Sequence, residues 1–170
     1  MAMNKYLSII TLNVNELPAS IKSHRIAEWV RNHDPHICCL QETHLRTKDL
    51  HRLKVKGWKQ ILQANGQEKS QGSNTHIRQN RLQTRAIKRD PEGHFIILKG
   101  RIHQEDTDIV NIYAPNKGAP KYIKKILEDF KKDIDSNTII VGGLNSPLSK
   151  MDRSSKQIST KYCCIEHCPR

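Results

Sequence analysis

The chain has 170 residues, 36% of them hydrophobic, and a formal net charge of +12 at pH 7. This length suits one domain and is too short for two domains of usual size. With no apolar stretch long enough to cross a bilayer and no apolar signal segment at its start, the sequence predicts an intracellular protein, nuclear or cytoplasmic and not secreted.

The positive charge is concentrated in one part of the chain. Between Arg46 and Arg101 there are 14 Lys or Arg residues against four Asp or Glu. A basic surface binds polyanions by releasing their counterions, so nucleic acid is the first partner to consider and an acidic membrane the second. A solvated basic face that binds nothing specific explains the charge equally well.

The first part of the chain predicts a strand, a helix and a second strand. Residues 7–12 and 37–40 are apolar runs typical of buried strands, and a helix is expected between Ser20, a suitable N-cap, and Asp34, which precedes a proline. Such a unit usually pairs its strands in parallel, which brings the residues that follow both strands to one edge of the sheet. The apolar positions expected on the buried face of the helix are Ile21, Ile26, Trp29 and Val30.

The middle and the end of the chain lack apolar periodicity. Residues 72–86 are mostly polar and basic, so we expect a loop there. Residues 158–170 predict a disordered tail, outside a single domain that covers residues 1–157.

The second half repeats the strand and helix pattern. Residues 95–98, 109–113 and 138–141 predict buried strands, and residues 120–134 predict a helix between the last two. That helix has proline in its first turn and apolar residues three and four positions apart, which leaves a lysine-rich opposite face. Its apolar stripe should pack on a sheet.

The five cysteines match no disulfide framework. Cys38 and Cys39 lie in an apolar run, where free cysteine behaves as a small buried hydrophobe, as in a reducing compartment. The other three lie near the carboxyl terminus, and their spacing matches no standard zinc knuckle.

Four short polar motifs occur along the chain, each just after or at the end of a predicted strand. They are residues 11–13 (Thr-Leu-Asn), 41–43 (Gln-Glu-Thr), 111–116 (Asn-Ile-Tyr-Ala-Pro-Asn) and 142–145 (Gly-Gly-Leu-Asn). Polar groups placed in this way gather at one end of a sheet, where catalytic groups usually collect. Taken singly, Glu42 could be a surface residue, Tyr113 could belong to the core and Asn13 could make a turn.

The chain resembles the endonuclease domain of the second open-reading-frame protein of long interspersed (non-LTR) retrotransposons. Residues 10–15, 38–45, 51–58 and 111–120 carry the resemblance, and the last two segments are specific to these proteins. The wider endonuclease/exonuclease/phosphatase superfamily includes exodeoxyribonuclease III, apurinic/apyrimidinic endonucleases and DNase I. The resemblance implies an α/β fold, namely a two-sheet α/β/β/α sandwich with an incomplete second sheet. It also implies that the protein hydrolyses DNA phosphodiesters with magnesium.

The resemblance also implies roles for individual residues. Glu42 and Asn13 would bind Mg²⁺, or Mn²⁺, and Asn13 would also orient a water or a phosphate oxygen. Tyr113 would hydrogen-bond the phosphate. The residues assigned to catalysis are Asn13, Glu42, Tyr113 and Asn145, and those assigned to substrate binding are Asn116 and Arg153. The implied partner is DNA, bound by a monomer without a membrane or a small-molecule cofactor.

Three departures from the family pattern bear on activity. Gly143 occupies the position of the aspartate in the family's Gly-Asp-Phe-Asn turn, and loss of that carboxylate removes a factor of ~10² to 10⁴ in rate. The chain ends at Arg170, before the family's Ser-Asp-His motif, so we expect no substitute for that histidine. Residues 72–85 are polar where the family has an aliphatic strand.

Three functions therefore stay open from the sequence. The first is a magnesium-dependent DNA endonuclease or exonuclease whose activity is impaired or lost. The second is a non-catalytic remnant that binds nucleic acid through its positive charge. The third is a retrotransposon relic without a stable fold.

Overall fold

A computed structural model of the chain describes residues 6–17, 20–45, 51, 53, 56–64, 73–78 and 82–146. Arg153 and the predicted tail lie outside these residues. The elements are β1 (Ile9–Asn13), α1 (Ser20–His33), β2 (Ile37–Gln41), β3 (Trp58–Ala64), β4 (Ser73–Arg78), β5 (Leu82–Arg89), β6 (Phe95–Ile102), β7 (Glu105–Tyr113), α2 (Ala119–Asp129) and β8 (Thr138–Gly143). Within the described part of the chain, neither helix has the length and apolarity needed to span a bilayer.

The strands form two four-stranded sheets. The first has the order β1-β2-β4-β3 and the second the order β5-β6-β7-β8. The predicted parallel pairing of β1 with β2 is confirmed, with Asn13 opposite Gln41. The strands β7 and β8 are also parallel, with Tyr113 opposite Gly143. Each parallel pair therefore ends in residues of the predicted motifs.

The helices and sheets stack in four layers. Helix α1 packs on the outer face of the first sheet, where Val30 joins a core cluster with Cys38 and Leu40. Helix α2 packs on the outer face of the second sheet through Ile126 and Phe130. Between the sheets lies a third apolar cluster, formed by Ile37, Cys39, Leu62, Leu98, Ile102 and Ile109. This is the α/β/β/α arrangement expected from the sequence.

The prediction of a loop for residues 72–86 is wrong for most of that segment, which contains β4 and the start of β5. Strand β4 pairs antiparallel with β2 on one side and with β3 on the other. Strand β5 is an edge strand on β6, and its partly buried Leu82 and Ile87 pack against the cluster between the sheets. Backbone hydrogen bonds hold a strand whatever its side chains are, so polar residues concealed both strands from an argument based on apolar periodicity.

Two helix predictions also need correction. Helix α2 ends at Asp129, because the backbone turns at Phe130, whose carbonyl accepts hydrogen bonds from the N–H groups of Asp133 and Ile134 at 2.8 and 2.9 Å. On α1, Ile21 is 68% and Trp29 39% exposed, against the prediction, while Val30 is 2% exposed. Ser23 takes part in the buried face instead, and its hydroxyl donates to the Leu17 carbonyl at 3.1 Å.

Candidate active site

The carboxyl ends of β1 and β2 lie side by side and carry Asn13 and Glu42. Backbone hydrogen bonds hold the following segments together, from Val14 N–H to the Gln41 carbonyl at 3.0 Å and from Glu16 N–H to the Glu42 carbonyl at 2.8 Å. Glu42 has a φ of 54°, in the left-handed region, so the backbone turns sharply there. This turn takes Glu42 out of the alternation of β2 and leaves its side chain half-buried.

Asn13 already has a local partner. Its Oδ1 accepts a hydrogen bond from the Asn15 backbone N–H at 3.0 Å, so Asn13 makes the turn that the sequence offered as an alternative role. The residue is exposed, and an amide oxygen has a second lone pair. Asn13 can therefore serve the turn and still offer an oxygen to a ligand.

The carboxyl ends of β7 and β8 supply the other half of the site. Tyr113 is 1% exposed, and its N–H donates to the His94 carbonyl at 2.7 Å. The Ala114 N–H donates to the Gly143 carbonyl at 2.8 Å, and Asn145 Nδ2 donates to the Ala114 carbonyl at 2.6 Å. These bonds fix Asn145 beside Tyr113.

The Tyr113 hydroxyl joins the two halves. Glu42 on the first sheet and Asn145 on the second both act on its pKa. Burial raises the pKa of Tyr113 to about 12; the Glu42 carboxylate also raises it, and the Asn145 amide lowers it. Tyr113 is therefore a neutral hydrogen-bond donor at physiological pH.

The structure thus brings three of the four predicted catalytic residues close together, namely Glu42, Tyr113 and Asn145. Asn13 is placed at the same sheet edge by its pairing with Gln41. Asn116 is exposed in the loop between β7 and α2, on the chain just after Tyr113. Arg153 lies outside the described residues.

Two glycines end β8 and shape the site differently. Gly142 has a φ of 130°, and a Cβ there would collide with the Ile112 carbonyl oxygen. At Gly143 a Cβ would lie 3.2 Å from Cδ2 of Tyr113, which is a tight contact. The position that carries the carboxylate in the family pattern therefore faces the Tyr113 ring, and an aspartate there would require the ring to move by a few tenths of an ångström.

Glu42 and Asn13 fit a hard divalent cation by their donor chemistry. Carboxylate and amide oxygens are the ligands that Mg²⁺ prefers, and this ion keeps several waters, so two protein donors are compatible with its binding. These donors lie at adjacent strand ends. The two residues therefore match Mg²⁺ in the type of their donor atoms and in their placement.

A second group that could hold a metal lies in the turn between β5 and β6. One ligand atom each from Asp90, Glu92 and His94 lies within 4.8 Å of the others. His94 Nδ1 is 3.2 Å from Asp90 Oδ2 and 3.6 Å from Glu92 Oε2. The turn borders the site, because the His94 carbonyl accepts the Tyr113 N–H. Our sequence reasoning missed this group, whose signal is three ligand residues at alternate positions around a Pro and a Gly.

The four-layer sandwich, with polar residues at the carboxyl ends of its parallel strands, defines a DNase I-like α/β protein. Residues 10–163 match the endonuclease/exonuclease/phosphatase family, and the chain belongs to that family. The family named from the sequence motifs is confirmed at this level.

Three solved structures illustrate the shared fold. The AP endonuclease LMAP from Leishmania major is 18% identical with a TM-score of 0.68, over 87% of this chain and 58% of that one. An AP endonuclease from Archaeoglobus fulgidus is 20% identical with a TM-score of 0.65, over 88% and 62%. TDP2 from D. rerio, in complex with a single-strand DNA product, is 15% identical with a TM-score of 0.65, over 83% and 61%.

The TM-scores show that the fold is shared, and the predicted fold class is confirmed. The chain spans less than two thirds of the length of each of the three structures. Their activities are therefore a source of hypotheses for this chain.

Proposed function

We propose that this chain is the endonuclease-type domain of a retrotransposon protein, that it binds the DNA backbone, and that it hydrolyses phosphodiesters with magnesium at a strongly reduced rate. The observation that carries the proposal is that Glu42, from the first sheet, lies close to Tyr113 and Asn145, from the second. The fold is shared with AP endonucleases and with a TDP2 bound to a DNA product, which supports DNA as the ligand. The proposal includes a monomer that acts on DNA inside the cell, in the nucleus or the cytoplasm.

The residues of the site suit a phosphodiester. The neutral Tyr113 hydroxyl carries a single proton, which it can donate to a phosphate oxygen when the Glu42 carboxylate binds Mg²⁺, and Asn145 lies beside it. Asn13 can orient a water or a phosphate oxygen at the neighbouring strand end. Mg²⁺ held by Glu42 and Asn13 would neutralise the negative charge that grows on the phosphate.

The reduced rate follows from Gly143. A family site has a carboxylate at this position to align the attacking water, and glycine offers no side chain for that task. Loss of such a positioning or basic group removes ~10² to 10⁴ in rate. Binding does not need this carboxylate, so affinity for DNA should be kept.

A non-catalytic nucleic-acid-binding protein is the second candidate. Gly143 together with the net charge of +12 favours it, since charge alone can hold DNA without cleavage. The two candidates share the fold and the ligand and differ only in hydrolysis.

A plasmid-nicking assay with and without Mg²⁺ tests the proposal, beside DNA binding by fluorescence anisotropy. We expect slow nicking that needs Mg²⁺ and is lost in Glu42→Ala. The control variant Glu128→Ala, which removes an exposed glutamate on α2, should keep this nicking. DNA binding without Mg²⁺-dependent nicking would overturn hydrolysis and favour the second candidate. Loss of both, or a thermal scan without a cooperative transition, would overturn both candidates.

A further inference from the structure

Two buried amides lie between the sheets, next to the candidate active site. Gln41, the last residue of β2, is 1% exposed, and Asn111 on β7 is 0% exposed. Gln41 Nε2 donates to Asn111 Oδ1 at 2.7 Å and lies 3.0 Å from Thr11 Oγ1. The bond between the amides crosses from the first sheet to the second. Burying an amide is costly where one of its polar atoms lacks a partner, so this pair needs an explanation.

Stability alone does not explain the pair. Among the described residues, Asn111 Nδ2 has no hydrogen-bond partner, and such a buried donor lowers the stability of the folded chain. The neighbours on the same strand faces are apolar, with Cys39 on β2 and Ile109 on β7 in the cluster between the sheets. Apolar residues of similar size at both positions would continue that cluster without the cost of an unpaired donor.

The placement of the pair suggests its purpose. Gln41 directly precedes Glu42, and Asn111 lies two residues before Tyr113, on the same face of β7. The bonds that fix each half of the site run within one sheet, as from Val14 N–H to the Gln41 carbonyl and from Ala114 N–H to the Gly143 carbonyl. The Gln41–Asn111 bond instead ties the two sheets together immediately before the residues that must meet.

We propose that Gln41 and Asn111 are positioning residues, whose hydrogen bond holds the ends of β2 and β7 at the separation where the Glu42 carboxylate meets the Tyr113 hydroxyl. The inference rests on the proposed function only in giving that contact a part in phosphodiester hydrolysis. The placement itself is a property of the folded chain without DNA or metal.

A double-mutant cycle on the full chain, followed by thermal unfolding in EDTA, tests the inference. The cycle compares Glu42→Ala, Tyr113→Phe and the two combined. It is run in the natural chain and again in a background with Gln41→Met and Asn111→Leu, which match the amides in size but form no hydrogen bond. In the natural chain the combined variant should lose about 2 to 4 °C less in Tm than the two single losses added together.

In the Gln41→Met/Asn111→Leu background this difference should vanish while the transition stays cooperative. An undiminished difference there would overturn the inference. Two further backgrounds keep the test decisive if that one fails to fold. Asn111→Ser is too short to reach Gln41 and should also lose the coupling, whereas Asn111→Asp keeps an acceptor oxygen and should retain it. Coupling that survives in Asn111→Ser would again contradict the inference.

The coupling measurement is independent of activity. Absence of Mg²⁺-dependent nicking would overturn the proposed hydrolysis and leave the positioning role standing. Where nicking is observed, the Gln41→Met/Asn111→Leu protein should nick at least about tenfold more slowly, since misplacement of a catalytic group by about 1 Å costs up to 10²-fold.

Discussion

At the scale of single residues, the site depends on Tyr113, where a buried phenol lies between a carboxylate and an amide. Below pH 10 the tyrosine keeps its proton in both the folded and the unfolded chain. Between about pH 10 and 12 the unfolded chain loses this proton while the folded chain retains it, because the folded pKa is about 12. The stability that Tyr113 contributes is therefore present below pH 10 and lost as the pH rises to 12.

We accordingly predict that Tyr113→Phe flattens the alkaline loss of stability. The free energy of unfolding of the natural chain should fall by on the order of 2 kcal/mol more than that of the variant between pH 10 and 12. Urea unfolding across this range, in EDTA, measures the difference. Tyr6→Phe is the matched control, because Tyr6 is 81% exposed. Equal pH profiles for the natural chain and Tyr113→Phe would refute the prediction.

A second residue-scale prediction concerns Gly142 and Gly118, two of the four described glycines with a positive φ. Gly142→Ala should destabilise the chain by about 3 kcal/mol or more, because the new methyl group would collide with the Ile112 carbonyl oxygen. Gly118→Ala should cost about 1 kcal/mol, since Gly118 has a φ of 79° and open space around it. Chemical denaturation compares the two. Similar costs would show that Gly142 is not constrained by its neighbour.

The motifs predicted which residues belong to the candidate site but not how they meet. Glu42 and Asn145 follow strands and Tyr113 ends one, and that rule placed them at a sheet edge. The contact between Glu42 and Tyr113 depends on how two separate sheets face each other and on the left-handed turn at Glu42, and neither is written in a local pattern. Asp90 and His94 likewise come together only when the hairpin turn closes.

At the scale of elements, β4 shows where apolar periodicity fails. Its sequence is Ser-Asn-Thr-His-Ile-Arg, yet it is paired on both sides, by β2 and by β3. The other strand predictions succeeded because β2, β6 and β7 are buried and aliphatic. A strand that is paired on both sides can be polar, because its backbone N–H and C=O groups take part in the hydrogen-bond ladders of two neighbours.

Because β4 is paired on both sides, a proline within it should strongly destabilise the folded chain. Thr75 lies opposite Cys39 on one side and Leu62 on the other, so its backbone is within the sheet. Thr75→Pro removes an N–H from the ladder and should cost about 3 kcal/mol or more, whereas Thr75→Val keeps the N–H and a β-branched side chain and should cost less than about 1 kcal/mol. Urea unfolding midpoints measure both. If proline is tolerated as well as valine, residues 73–78 are not a paired strand.

At the scale of the whole molecule, two pairs of lysines differ in their position relative to the candidate site. Helix α2 starts just after the loop that follows Tyr113, so Lys117 and Lys121 lie at the site end. The helix then runs toward the start of β8, where Thr138 pairs with Asp108, in the part of β7 that is distant from Tyr113. Lys131 and Lys132 therefore lie at the far end, and all four lysines are exposed.

This arrangement predicts that the two ends of α2 contribute unequally to DNA binding. If the DNA backbone lies across the carboxyl ends of the strands, each lysine there that contacts a phosphate adds about 0.9 to the slope of log K against log salt concentration. Replacing Lys117 and Lys121 with glutamine should lower the slope by about 1 to 2, while the same change at Lys131 and Lys132 should leave it nearly unchanged. The two variants carry the same net charge, so equal slopes in fluorescence anisotropy would mean that the chain binds DNA as a diffuse cation rather than through its candidate site.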